Sequence, residues 1–128
     1  MKKVVIPCSG IGKAFGTVAR EAVYRLIDAE HADEFTTICL PLLMTDDEES
    51  KRTVLESDVY TIDGCPKKCA SVLVEHVGGT PVMEIMTPKV LAENRDHKPG
   101  TVIDIGQGGM HLADDITGIV LNNGGNEK

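Results

Sequence analysis

Residues 3–27 read KVVIPCSGIGKAFGTVAREAVYRLI. Val4-Val5-Ile6 is a short β-branched run, the pattern of a strand buried on both faces of a parallel sheet. Gly10 and Gly12 then mark a turn. After it Phe15, Val18, Ala19, Ala22, Val23, Leu26 and Ile27 recur at three and four residues, with Arg20, Glu21 and Arg25 off that stripe. This is the period of an amphipathic helix with one face in a core. Strand, glycine turn and helix make a βα unit, and a chain that opens this way builds a parallel sheet with helical crossovers.

The rest of the chain repeats the alternation. Phe35 to Leu40 reads as a second strand, and Thr45-Asp46-Asp47-Glu48 has the spacing of a capping box before a charged surface helix to about Ser57. Val59 to Ile62 reads as a third strand. A helix is expected from Pro66 to about Val77, with proline where its missing N–H costs nothing and Gly78-Gly79 as the stop. Pro81 to Met86 gives a fourth strand, followed by a short helix to about Asn94 with Thr87 as its N-cap and Pro88 at its first position. Val102, Ile103 and Ile105 suggest a fifth strand, and Gly106-Gln107-Gly108-Gly109 a turn into a last helix through Val120. The expected architecture is α/β: a single three-layer domain over residues 1–121, with a mostly parallel sheet of about five strands in a flavodoxin/Rossmann-like arrangement, and a tail over 122–128.

Composition narrows the partners. The 128 residues carry 13 basic and 20 acidic side chains, a net charge of −7, with no Trp, two Phe and two Tyr. No window gathers Lys or Arg on one face, so the reading expects neither nucleic acid nor an anionic membrane as partner. No apolar run approaches the ~18 residues of a spanning helix, and the first run stops at Pro7, which together place the protein in the cytoplasm. The sequence identifies no protein partner.

Four cysteines, Cys8, Cys39, Cys65 and Cys69, are the unusual feature. In a reducing compartment such a set reads as metal-binding or catalytic before it reads as disulfides. Cys8 ends strand one, Cys39 is near the end of strand two and Cys65 follows strand three, so all three fall on the carboxyl edge, where open α/β sheets bind ligands. If the third helix begins at Pro66 with Cys65 as its cap, the i, i+4 spacing puts Cys65 and Cys69 on one side of its first turn. A helix N-terminus favours the thiolate that metal binding or nucleophilic attack needs, and Lys67 and Lys68 add positive charge that would offset a zinc tetrathiolate. Cys39, between Ile38 and Leu40, also reads as a small core residue.

The stretches Cys8-Ser9-Gly10, Cys39-Leu40 and above all Ile62-Asp63-Gly64-Cys65-Pro66-Lys67-Lys68-Cys69-Ala70 resemble the DGC domain family, described as zinc-binding proteins. The resemblance implies a metal site made by Cys8, Cys39, Cys65 and Cys69. It runs to about Ile85, and nothing is carried over to Thr87–Val120.

Rival motifs fail on single positions. A P-loop needs Gly and Ser or Thr where this chain has Pro7 and Ala14. Low-molecular-weight phosphatases need an Arg where Ala14 stands, and Arg20 comes too late. Asp63 reads as a turn-stabilising side chain or a base, Gly106 to Gly109 as a tight turn or an anion nest, and His111 as an exposed helix-start residue, a ligand or a general base. His31, His76 and His97 are assigned no role. Three functions follow. The first is a zinc-thiolate carrier, sensor or structural protein, whose four ligands would leave no open position for a substrate. The second is a thiol redox enzyme or transferase using Cys8 with Cys65 or Cys69. The third is an iron–sulfur protein with the same ligands.

Overall fold

A computed structural model describes residues 3–8, 13–28, 31–64 and 67–125. Its centre is a four-stranded parallel sheet: β1 (Lys3–Pro7), β2 (Phe35–Thr36), β3 (Asp58–Asp63) and β4 (Met83–Met86), in the order β2-β1-β3-β4. β1 pairs with β3 from Lys3↔Asp58 to Pro7↔Ile62, and β3 pairs with β4 from Tyr60↔Met83 to Asp63↔Met86. β1 is apolar at Val4, Val5 and Ile6 because both of its faces are covered, whereas β3, equally buried, carries Thr61 and Asp63 among its apolar residues.

Side-chain alternation along these strands feeds two cores. On one face Val5, Tyr60, Ile62 and Ile85 meet α1 (Ala14–Ile27), α4 (Thr87–Glu93) and α5 (Gly106–Gly125). On the other, Val4, Ile6 and Val59 meet a 3-10 turn at Leu40–Leu43, α2 (Glu48–Leu55) and α3 (Cys69–His76). The result is three layers. Val18, Ala19, Ala22 and Leu26 of α1 have no solvent exposure, and burying a side chain as large as Val or Leu contributes about 1.5–3 kcal/mol. α5 lies along α1, where Arg25 reaches Glu21 at 3.0 Å and Asp114 at 2.7 Å.

Several elements differ from the expectation. The fifth strand is not formed: Thr101 and Asp104 close a turn on each other through the Thr101 N–H to Asp104 carbonyl at 2.8 Å and the Asp104 N–H to Thr101 Oγ1 at 3.0 Å. Ile103 stands 95% exposed at its tip, while Ile105 alone enters the core. β2 is two residues long, since the chain turns into the 3-10 segment at Leu40-Pro41. α2 starts three residues after Thr45. Its cap is Asp47, whose carboxylate accepts from the Ser50 N–H at 3.0 Å and the Ser50 hydroxyl at 2.8 Å, which holds its pKa below the ordinary 3.8. α5 takes in the glycines from Gly106 onward and runs to Gly125, past the Val120 expected for it.

Candidate metal site at the carboxyl edge

β3 places its last residues by the same alternation. Val59, Thr61 and Asp63 share the face that α3 covers. Asp63 is 1% exposed and works as a remote cap for α3: one carboxylate oxygen accepts from the Ala70 N–H at 2.9 Å, the other from the Ser71 hydroxyl at 2.8 Å and the Ser71 N–H at 3.4 Å. The Ser71 hydroxyl also meets that of Thr61 at 2.7 Å. A carboxylate at a helix start satisfies N–H groups that have no partner within the helix and complements the dipole. The sequence had suggested a role for Asp63 in the Gly-Cys turn; the structure gives its bonds to the helix six residues further on.

Gly64 follows with its own constraint. A Cβ there would lie 3.0 Å from Phe15 Cβ and 3.2 Å from the Gly16 backbone nitrogen, so any other residue would push the end of β3 away from the start of α1. This contact brings the Gly64 N–H to Cys8 Sγ at 3.3 Å. Cys8 is buried at 6% exposure, and its own N–H donates to the Ile62 carbonyl at 2.9 Å, which extends the ladder one residue past β1. The sulfur thus sits against the backbone of the residue that precedes Cys65. Cys65 and Pro66 lie outside the described residues.

α3 begins at Cys69, three residues later than the expected start at Pro66, and its cap residue is Lys68. Lys68 causes the delay. It takes the left-handed conformation, φ 53°, which a helix cannot propagate, and its ammonium is held by Glu84 of β4 at 2.8 Å. The Glu84 carboxylate raises the Lys68 pKa, through its hydrogen bond first and its charge second. Lys68 is therefore committed to β4, and Lys67 is the exposed cation of the pair expected to offset a metal's thiolates.

Cys69 is exposed at the first position of α3, and Cys39 is exposed three residues past β2. Cys39 lines a cavity of about 280 Å³ with Ile38, Leu42 and Glu49, so it is not a core residue of a strand. Cys8, Cys39 and Cys69 all lie beyond the carboxyl ends of β1, β2 and β3, with β1 between the other two. Among the described residues no three of Cys, His, Asp and Glu converge closely enough to hold a metal ion. Thr87, expected as the N-cap of the helix after β4, is instead the first residue of α4, with Met86 as its cap residue and no side-chain cap bond. Thr87 is fully buried directly after β4, and its hydroxyl has no hydrogen-bond partner among the described residues.

Residues 4–105 match the DGC domain family. The chain belongs to that family. The match spans the sheet, all four cysteines and the turn before α5, and ends just before α5 itself. No curated protein and no solved structure matches the chain. No helix among the described residues is long and apolar enough to cross a membrane.

Proposed function

We propose that this DGC domain protein holds zinc through Cys8, Cys65 and Cys69, with Cys39 from the neighbouring loop as fourth ligand, and serves as a metal carrier, a sensor or a metal-stabilised module. The observation that carries the reading is the Cys8 sulfur, buried at the strand end and already accepting a backbone N–H from the residue before Cys65. An N–H donor stabilises sulfur as the thiolate, the form that binds metal. Thiolates are soft ligands that suit zinc, and zinc would supply a closed tetrahedral link between the loops after β1, β2 and β3. The residues fit this chemistry in two respects: soft donors on one edge and a buried N–H···S bond.

The chain's own residues do the positioning. Asp63 ties the start of α3, and with it Cys69, to the end of β3, while Gly64 fixes the distance between β3 and α1. Metal analysis of protein purified without added metal tests the reading. Colourless protein with stoichiometric zinc is expected. Iron with a visible absorption band would replace zinc by a cluster, and metal-free protein with titratable thiols that form a disulfide on mild oxidation would replace it by redox chemistry.

A further inference from the structure

On the opposite side of the sheet from α3, α4 leads into a second 3-10 turn, Arg95–His97, and the two line an open surface pocket of about 380 Å³. Its wall is apolar along α4, from Pro88, Leu91 and Ala92, and basic at the turn, from Arg95 and Lys98. The volume lies in the range of small-molecule sites, about 300–1,000 Å³. The chain is strongly acidic, and Lys3, Arg25 and Lys68 each hold an acid. Arg95 and Lys98 hold none among the described residues, although Glu93 and Asp96 are their sequence neighbours.

The basic end is also pinned. His97 Nδ1 is hydrogen-bonded to Asp115 of α5 at 2.5 Å, and the His97 ring packs on His111 with centroids 5.1 Å apart. The Asn94 side-chain amide donates to the Val90 carbonyl at 2.9 Å. The Lys98 carbonyl rests on Gly108, where a Cβ would come within 2.0 Å of it. Two unpaired cations on a braced turn beside an apolar wall are preorganised for a ligand with both characters.

We propose that this pocket binds a small amphipathic anion: a carboxylate or phosphate head against Arg95 and Lys98, and a short hydrocarbon body against Leu91, Ala92 and Pro88. The net charge of −7 disfavours approach to an anionic bilayer, so the ligand is a free molecule. The site shares no residue with the thiolate edge, and either can fail without the other.

The test is an NMR titration of the full chain with sodium octanoate. Saturable shifts confined to Leu91, Ala92, Arg95 and Lys98 are expected, half-complete near about 1 mM for a ligand of this size. Octyltrimethylammonium, with the same tail and opposite charge, should leave these signals unmoved. The double variant Arg95→Gln/Lys98→Gln should weaken octanoate at least tenfold, and Leu91→Gln should do the same from the apolar side, with the remaining spectrum reporting that each is folded. Shifts that do not saturate, equal binding of the quaternary amine, or unchanged affinity in both variants would overturn the proposal.

Discussion

Replacing Asp63 by Ala removes the acceptor of two well-formed bonds, from the Ala70 N–H at 2.9 Å and the Ser71 hydroxyl at 2.8 Å, and of a longer third from the Ser71 N–H. A hydrogen bond to a charged group contributes about 1.5–3 kcal/mol, and these donors are buried where water cannot replace the lost oxygen. The Ser71 hydroxyl can fall back on Thr61, which recovers part of one bond. The expected loss is therefore about 3–5 kcal/mol for Asp63→Ala, and about 1.5–3 kcal/mol for Asp63→Asn, which keeps one oxygen for Ala70. For a chain of this length the alanine variant should lower Tm by roughly 10–20 °C in calorimetry. Amide exchange should show Ala70 and Ser71 losing protection before the strands do. A loss below about 1 kcal/mol for Asp63→Ala would refute the capping argument, since two buried charge-assisted bonds cannot be that weak.

The orphaned Thr87 hydroxyl gives the opposite sign: in metal-free protein Thr87→Val should stabilise by about 1–2 kcal/mol in urea unfolding, and a comparable destabilisation would mean that the hydroxyl has a partner. Gly64→Ala pushes a Cβ into Phe15 and the Gly16 backbone and should cost about 1–3 kcal/mol while weakening metal binding; an unchanged unfolding midpoint would remove the close contact from the account. Two pH limbs follow from the shifted groups. Asp47, with its lowered pKa, contributes stability above the ordinary 3.8 that is lost as pH falls through its folded value, so Asp47→Asn should flatten the acid limb. Lys68, with its raised pKa, contributes below the ordinary 10.5 and loses this as pH rises through its folded value, so Glu84→Gln should flatten the alkaline limb. Thermal scans across pH check both, and identical profiles in wild type and variants would contradict them.

The sheet and its helices were legible where period and covering agree. β1, α1 and β3 carry long one-sided or two-sided apolar patterns that tertiary packing only reinforces. The fifth strand was misread because Val102, Ile103 and Ile105 are β-branched and close together, while the local bonds between Thr101 and Asp104 compete for the same backbone and win. The start of α3 was misread for a related reason. Proline marked Pro66 as a helical first position, but the cap comes from Asp63 through space, and Lys68 interrupts the helical path. Alternation along β3 does put Asp63 on the α3 face, a signal that was readable. Thr87 read as a cap because Thr before Pro is a common helix entry, but the helix starts at Thr87 itself and packing leaves its hydroxyl unbonded. The carboxyl-edge placement of Cys8 and Cys39 followed from strand ends alone, whereas the exposure of Cys39 depends on the chain leaving β2 after Thr36.

The central claim is that the thiolates hold zinc, and metal content after dialysis against a weak chelator measures it most directly. Wild type should retain one zinc per chain, with retention falling as pH drops because protons compete for each sulfur. Cys65→Ser and Cys69→Ser should retain none, Cys8→Ser almost none, and Cys39→Ser the most of the four, since serine keeps the size but replaces soft sulfur with a poorly acidic oxygen. Circular dichroism establishes that each variant is folded. Folded Cys65→Ser and Cys69→Ser proteins with full zinc, or wild type that binds none under reducing conditions, would contradict the account.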